Sequence, residues 1–501
     1  MSEYFDVVVV GGGNAALCAA ISAADQGAST LVLERAPESE RGGNSAFTAG
    51  AMRFAYSGAD DVLAVVDELS PEQVAMTDFG AYPESAFMDD LGRVTEYRTD
   101  PDLAEQLVYR SKDTLLWMRS HGVHFGPIYG RQAFKVDGRF TFWGGLTVEA
   151  TGGGPGLVGY LSAEADRLGI RTLFGARATD LDLSDEGAVV GVKYRRAGRI
   201  HHVRCGAVVL GSGGFQANTA WRAQYLGPLW DLAKVRGTRF NTGDGIRMAL
   251  AAGAAPWGQW SGSHAVAWEW AAPPFGDLRI GDGFQKHSYP FSIMLNANGE
   301  RFLDEGADFR NYTYAKYGAR ILAQPAQFAW QIFDSSVRHL LRDEYRIREV
   351  TKVTANSIEE LARKLDGVDT AAATRTLTDF NAAVDDSVPF NPNVKDGRRT
   401  RGLAIDKTNW AVPLLTPPFE AYRVTCGVTF TFGGLHIRTD TAVLDEESTP
   451  IPGLYACGEL VGGIFYFNYP GGSGLTSGAV FGRIAGRSAA EFAAAASTVD
   501  V

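Results

Sequence analysis

Phe5-Asp6-Val7-Val8-Val9-Val10-Gly11-Gly12-Gly13-Asn14-Ala15-Ala16 stands near the start of the chain, and Thr30-Leu31-Val32-Leu33-Glu34 follows it. An apolar strand runs straight into a glycine loop. A helix from Ala15 to about Gln26 comes next, and a second apolar strand ends on an acid. That order predicts a βαβ unit that binds a dinucleotide. Gly11 allows the tight turn, and Gly13 lets the backbone approach a pyrophosphate. Ala16 takes the third small position, where helix packs on strand, and Glu34 can hold a ribose hydroxyl, with Arg35 beside it. The helix start at Asn14 and Ala15 aims free N–H groups and partial positive charge at the phosphates. This pattern alone leaves open whether the ligand is NAD or FAD.

Outward from this unit, 501 residues suggest two or three domains. A 45% hydrophobic and 21% charged composition is that of an ordinary globular protein. The net charge of −11 argues against a nucleic acid or an anionic membrane surface as partner, since both call for basic patches. No apolar run reaches the roughly 18 residues of a membrane span, so an integral membrane protein is not expected. The first strand begins by about Tyr4, which leaves no room ahead of it for a signal peptide. Cys18, Cys205, Cys426 and Cys457 form no CxxC pair, so neither a metal site nor a self-contained iron–sulfur cluster is expected. A reduced, cytoplasmic compartment is the default for such cysteine usage.

The expected fold class is α/β, a Rossmann-like FAD-binding domain with an inserted α+β capping domain. Residues 1–255 form the first part of the binding domain, 256–405 the cap, and 406–501 the second part. The cap boundary rests on texture, since Trp, Pro and Phe become frequent after about residue 256. Within the first part, Thr151–Gly156 reads as a loop and Leu157–Leu168 as a helix. Ile170–Leu173, Ala178–Leu183, Val189–Tyr194 and Ile200–Arg204 read as a small β-meander, and Ala207–Leu210 as a separate buried strand.

Three further segments bear on the cofactor: Arg41-Gly42-Gly43-Asn44-Ser45, Asn241-Thr242-Gly243-Asp244-Gly245, and Leu454–Glu459 with Tyr469-Pro470-Gly471-Gly472-Ser473-Gly474-Leu475. An extended flavin cofactor needs a second contact region far from the first loop. A Gly458-Glu459 strand end can hold ribityl hydroxyls, and a Gly-rich turn opening a helix can place N–H groups at the flavin pyrimidine. Together with Phe284–Pro290, Gly299–Tyr317 and Thr429–Leu435, these residues resemble the fumarate reductase/succinate dehydrogenase flavoprotein family over nearly the whole chain. That family includes 3-ketosteroid dehydrogenases, urocanate reductase and tricarballylate dehydrogenase, and the likeness is strongest to the last. The resemblance implies FAD as cofactor. Arg41–Thr48 contains no histidine to match the covalent histidyl attachment of the respiratory enzymes, so FAD is expected to be non-covalent. Ala178, Gly211, Ser212 and Gly213 complete the expected cofactor set.

The resemblance also implies hydride transfer between a saturated carbon and flavin N5, with proton transfer at the neighbouring carbon. Arg310, which stands one residue later than the matching arginine of fumarate reductases, is the first candidate for the proton. Its residue chemistry alone supports a carboxylate clamp or, failing that, an ion pair with Asp304 or Asp308. Tyr312 and Tyr314 lie where ketosteroid dehydrogenases carry a catalytic tyrosine, and Tyr469 matches their tyrosine that bonds a substrate carbonyl. His264 and His287 are further polar candidates, with Lys286 beside His287. Arg423 could reach the site or form a structural pair. Two departures stand out. Thr429 and Phe430 replace a histidine of fumarate reductases, and Tyr469 replaces an arginine, so simple fumarate reduction is not expected.

The leading expectation is therefore an FAD-dependent dehydrogenase that converts a small-molecule substrate such as tricarballylate to cis-aconitate. The alternatives are a 3-ketosteroid-like or cyclic-ketone dehydrogenase, a reductase of an α,β-unsaturated acid, and a non-catalytic FAD-binding protein. With no cluster motif in the chain, reoxidation calls for oxygen, a quinone or a separate iron–sulfur or quinone-linked protein.

Overall fold

The computed structural model describes residues 3–499, and of 497–499 the helical backbone only. Its first unit is β1 (Tyr4–Val10), α1 (Asn14–Asp25) and β2 (Thr30–Leu33). Val7, Val8, Val9 and Val10 are buried, as a strand covered on both faces requires. Further along the chain come β3 (Arg171–Leu173), β4 (Arg177–Leu183), β5 (Val189–Arg196) and β6 (Arg199–Leu210). The sheet runs in the order β4-β5-β6-β1-β2-β3, with strand Pro450–Ala456 added beside β6. Val7 pairs with both Thr30 and Ala207, and Val208 also pairs with Leu454, so the buried core of this sheet is parallel.

Three local expectations are corrected. Ile170–Leu173 does not belong to the meander: β3 extends the parallel edge through Leu31↔Arg171 to Leu33↔Leu173. Ile200–Arg204 and Ala207–Leu210 are one strand, β6. Its start pairs antiparallel with β5, and its end pairs parallel with β1. Helix Gly153–Arg167 begins inside the glycine run read as a loop, because Gly152, at φ +80°, supplies its N-cap in a left-handed conformation.

The second sheet is built on the long strand Phe419–Thr431. This strand pairs antiparallel with Ser263–Glu269, Ala329–Phe333 and Lys352–Ala355, and parallel with Lys234–Val235. Two of its strands thus lie outside 256–405, one on each side. Composition marked the insertion by its aromatics, but the strand at its centre is supplied from after residue 405. Helix Ser473–Val499 packs along α1 and returns the chain to the first sheet. Among the described residues, no helix is long and apolar enough to cross a membrane.

Candidate active site

Two clefts meet at the C-terminal end of β1. The first, about 810 Å³, is lined by Gly11, Gly13, Asn14, Ala15, Glu34, Arg35, Gly43, Asn44, Ser45, Ala178, Gly211, Ser212, Gly213, Asp244 and Glu459. Its floor is bare backbone by necessity. A methyl group on Gly11, at φ +117°, would come 2.5 Å from the Gly211 carbonyl oxygen, and one on Gly12 would come 2.7 Å from Glu34 Oε2. N-cap Gly13 offers α1 no side-chain cap, and Ser45 Oγ accepts from Asn14 N at 3.0 Å. The first turn is thereby left for an anion. The Glu34 carboxylate accepts from Ala36 N at 2.6 Å. Burial pushes its carboxyl up, against the pull of the Ala36 and Gly12 N–H groups.

Besides Ser473, four residues of the expected cofactor set do not line this cleft or its continuation. Ala16 is fully buried under Gly211, and Gly42 packs on Val158. Thr242 Oγ1 accepts from Arg35, and Gly243 abuts the Trp221 ring. These four shape the walls.

The second cleft, about 1200 Å³, shares Asn14, Ala15, Asn44, Ser45 and Glu459 with the first, so the two form one corridor. Gly458, Gly472, Gly474 and Leu475 line it, with the N-terminus of helix Ser473–Val499 beside them. Ser473 turns its hydroxyl to the Pro470 carbonyl instead. Glu459 accepts from Thr431 N (3.0 Å), Gln216 Nε2 and Asn241 Nδ2 (3.3 Å each). Burial nonetheless pushes its carboxyl up to about 7. A corridor with a ribose acid at one end and a helix N-terminus at the other fits an extended FAD. Gly11, Gly13, Glu34, Ser45, Glu459, Gly472, Gly474 and Leu475 are the residues that would hold it.

The far wall of the second cleft holds three of the catalytic candidates, Arg310, Tyr314 and Tyr469, with His264. Arg310 is buried, with Nη1 3.5 Å from His287 Nδ1, Nη2 3.4 Å from the Arg131 carbonyl, and its guanidinium 5.4 Å from the centre of the Tyr314 ring. Burial weakens its hold on its proton, opposed chiefly by Tyr314 and Tyr289. The ion pairs suggested by its neighbours in sequence do not form. Asp308 pairs with Arg93 at 2.9 Å, and Asp304 accepts from Thr408. The hydroxyls of Tyr314 and Tyr469 bond each other, and burial holds both as neutral phenols. His264 stands edge-on to Tyr314, 5.0 Å between ring centres, and 4.8 Å from the Tyr469 ring. Burial and then Arg236 keep the His264 imidazole uncharged.

Other sequence candidates lie elsewhere. His287 sits behind Arg310 and lines a separate, smaller chamber. The Tyr312 hydroxyl is engaged by Asp90 at 2.5 Å and the Gly144 carbonyl at 3.0 Å, outside the cleft. Lys286 points into the core toward Glu269, 3.8 Å away, and burial lowers it to about 8. Arg423 pairs with Asp366 at 2.7 Å and is sandwiched between Trp270 and Phe328, at 4.0 and 4.2 Å from their ring centres, a structural arrangement.

Sequence reasoning missed Arg131, Arg236, Asp282, Gln285 and Arg342, which also line this cleft. Asp282 bridges two of the arginines, accepting from Arg236 Nη2 at 2.6 Å and Arg131 Nη1 at 3.1 Å, and it accepts from Gln285 as well. Arg236 Nη1 reaches Thr429 Oγ1 at 3.3 Å. Asp282 lies just ahead of the Phe284–Pro290 stretch already singled out and Gln285 lies within it, and that placement was the one available signal. The arginines come from segments with no motif of their own.

The profile of the FAD binding domain family matches residues 6–475. A fumarate reductase (cytochrome) of Shewanella frigidimarina is 30% identical over 97% of this chain and 77% of its own length. A 4-oxocyclohex-2-ene-1-carboxylate 5-dehydrogenase of Sinomonas cyclohexanicum is 31% identical over 65% of this chain and 58% of its own. Among solved structures, the open conformation of a flavocytochrome c3 fumarate reductase superposes with a TM-score of 0.72 at 27% identity, covering 98% of this chain and 79% of that one.

Proposed function

The chain belongs to the FAD binding domain family, among fumarate reductase-like flavoproteins, and is an FAD-dependent oxidoreductase acting on CH–CH groups; from that premise we propose that its substrate is a small carboxylic acid that also carries a ketone next to the reacting carbon pair. The observation that carries this reading is the bonded Tyr314–Tyr469 hydroxyl pair beside Arg310 in one cleft. Arg310 clamps the carboxylate through a two-pronged, charge-assisted contact. The tyrosine pair donates to the ketone oxygen, which gains negative charge as the neighbouring C–H is lost, and so acidifies that C–H. FAD, when bound, supplies the hydride acceptor. Arg310, one residue later than the matching arginine of fumarate reductases, is the candidate for the proton, and its burial favours the neutral form, the form that takes up the C–H proton.

This reading is supported from outside the structure by a relative whose name describes an oxo-carboxylate dehydrogenase. A polycarboxylate such as tricarballylate, oxidised to cis-aconitate, is the second reading. Four guanidiniums around the cleft favour it: those of Arg131, Arg236, Arg310 and Arg342. Mixing the FAD-loaded protein without oxygen against 4-oxocyclohexanecarboxylate, tricarballylate and cyclohexanone separates the two. Flavin bleaching by the oxo-acid alone supports the first reading. Bleaching by tricarballylate alone replaces it with the second, and bleaching by cyclohexanone as readily as by the oxo-acid removes the carboxylate from the proposal. The electron acceptor is proposed to be a separate redox protein or a quinone.

A further inference from the structure

A smaller chamber lies behind the arginines of the redox cleft. Arg131, Arg310 and Arg342 line both spaces and form the partition between them. The rest of the chamber wall is mostly aromatic, including Trp143, Phe309 and Trp410, with His287 set among the rings.

The polar groups on this wall are donors. Trp143 Nε1, Arg342 Nη1 and His287 Nε2 are buried without a hydrogen-bond partner among the described residues. For His287 the tautomer follows from geometry. Its Nδ1 faces Arg310 Nη1 at 3.5 Å, and a guanidinium has no lone pair to offer. Nδ1 is therefore the acceptor, and the proton sits on Nε2. Burial, together with Arg310, Arg342 and Arg236, keeps the ring neutral.

The local charge is also out of balance. Arg131 and Arg236 share the single carboxylate of Asp282, Arg342 Nε lies 2.9 Å from Glu344 Oε1, and Arg310 has no carboxylate within ion-pair distance among the described residues. The remaining acid near Arg131 and Arg342 is Glu149, whose carboxyl burial pushes up to about 7. Buried guanidiniums in excess of carboxylates call for a negative partner. Water answers this poorly, since one molecule accepts about two hydrogen bonds while also presenting its own protons.

We propose that the chamber bounded by Trp143, His287, Arg310 and Arg342 is a binding site for one small anion, the size of a halide or a single carboxylate group. Apart from these donors and the Ser288 hydroxyl the walls are mostly aromatic, which favours a weakly hydrated anion over a strongly hydrated oxyanion such as sulfate. The anion comes either from solution or from the substrate, as a second carboxylate reaching past Arg310. Because it shares Arg310 and Arg342 with the redox cleft, its presence couples to substrate binding.

Bromide is the probe, used on the FAD-loaded protein, and no turnover is needed, so these readouts stand even if the substrate reading fails. Bromide-soaked crystals should show an anomalous peak in the chamber beside Trp143 Nε1 and Arg342 Nη1. In solution, sodium bromide should raise the melting temperature saturably over sodium sulfate at equal ionic strength. Trp143→Phe should weaken the apparent bromide affinity about tenfold, the effect of losing one hydrogen bond to a charged group. Trp143 stacks on Phe309 at 4.6 Å, so if that variant does not fold, the wild-type peak and the salt pair decide. A substrate acid that competes with bromide in the melting titration assigns the site to the substrate's own carboxylate, and one that binds alongside bromide assigns it to an inorganic anion. Absence of a chamber peak with equal melting in both salts overturns the proposal. So does a peak with no effect in solution, which would be an adventitious ion only.

Discussion

Replacing Glu459 by glutamine should stabilise the FAD-free protein, and only above acid pH. The carboxyl sits where the two clefts join, and burial raises it from the usual 4.5 to about 7. A group that binds its proton more tightly when folded contributes most below pH 4.5. That contribution is lost as the pH rises to 7, where the folded chain must hold a desolvated charge. A shift of this size corresponds to about 3 kcal/mol, and with one side facing an open cleft we take about 2–3 kcal/mol. Glutamine keeps the Thr431 contact but presents an NH₂ group where Gln216 Nε2 and Asn241 Nδ2 now donate, so the Gln216 amide must turn over and Asn241 loses its acceptor, a pH-independent cost. The new side-chain oxygen can accept from Thr431 N, and its amide can donate to Gln216 Oε1, a buried atom with no partner among the described residues. With roughly 1 kcal/mol per degree of unfolding entropy for a chain of this length, the variant should gain about 2–3 °C on wild type between pH 4.5 and pH 8. That gain should be gone by pH 4.5, leaving only the fixed cost. Thermal melts of both proteins across pH 4.5–8 test this, because every other titrating group cancels in the difference. A gap that does not change with pH, or one that widens toward acid, would refute the reasoning.

Tyr469→Phe breaks the hydroxyl pair whose one free proton, on the proposed reading, donates to a developing enolate. It should cut kcat on a ketone-bearing acid by about 10²–10³, and change it less than about threefold on an acid without a ketone, in steady-state assays. Asp282→Asn leaves Arg131 and Arg236 without their shared carboxylate. It should cost about 3–5 kcal/mol, read as a lower melting temperature, and adding Arg236→Gln should recover part of that loss. Gly12→Ala places a methyl group 2.7 Å from Glu34 Oε2 and displaces that acid. FAD affinity, measured by flavin fluorescence on titration, should fall about 10–100-fold, and an unchanged affinity would remove Glu34 from the cofactor site.

The cofactor corridor was legible in the sequence because its parts are local. A strand, a glycine loop and a helix start within a dozen residues fix their own geometry, and so does the turn at Gly471-Gly472 before the last helix. The reacting wall was legible only in fragments. Tyr312 and Tyr314 carry equal promise on paper. They lie two positions apart across a helix start, at Arg310–Tyr312 and then Tyr314–Leu322, so their side chains leave in different directions. One meets Asp90 and the other meets Tyr469. Arg131, Arg236 and Arg342 come from three separate stretches, Arg236 next to the strand Lys234–Val235 that pairs with Phe419–Thr431 and Arg131 next to a strand of another sheet, so no spacing announces their convergence. The same non-local pairing explains β3: a short apolar run reads alike at a sheet edge and in a meander.

The two departures from fumarate reductases take on different meanings in the folded chain. At Thr429, where the resemblance had a histidine, the cation is restored from another segment, since Arg236 Nη1 lies 3.3 Å from Thr429 Oγ1. At Tyr469, where it had an arginine, no cation returns. Tyr469 meets the Tyr314 hydroxyl under a neutral His264. The first departure leaves a cation in place, whereas the second presents a neutral phenol pair with Arg310 next to it. A symmetric diacid would set one carboxylate against guanidiniums and the other against phenols that bond each other. Of the two phenol protons, that mutual bond uses one and leaves one to donate. A carboxylate with several lone pairs would be poorly served by a single donor in so dry a place, whereas a ketone oxygen is served by a single donor from which charge-assisted bonding grows only as the C–H is lost. On the proposed reading, the wall carrying Tyr469 favours the substrate group that becomes charged during reaction over one that arrives charged.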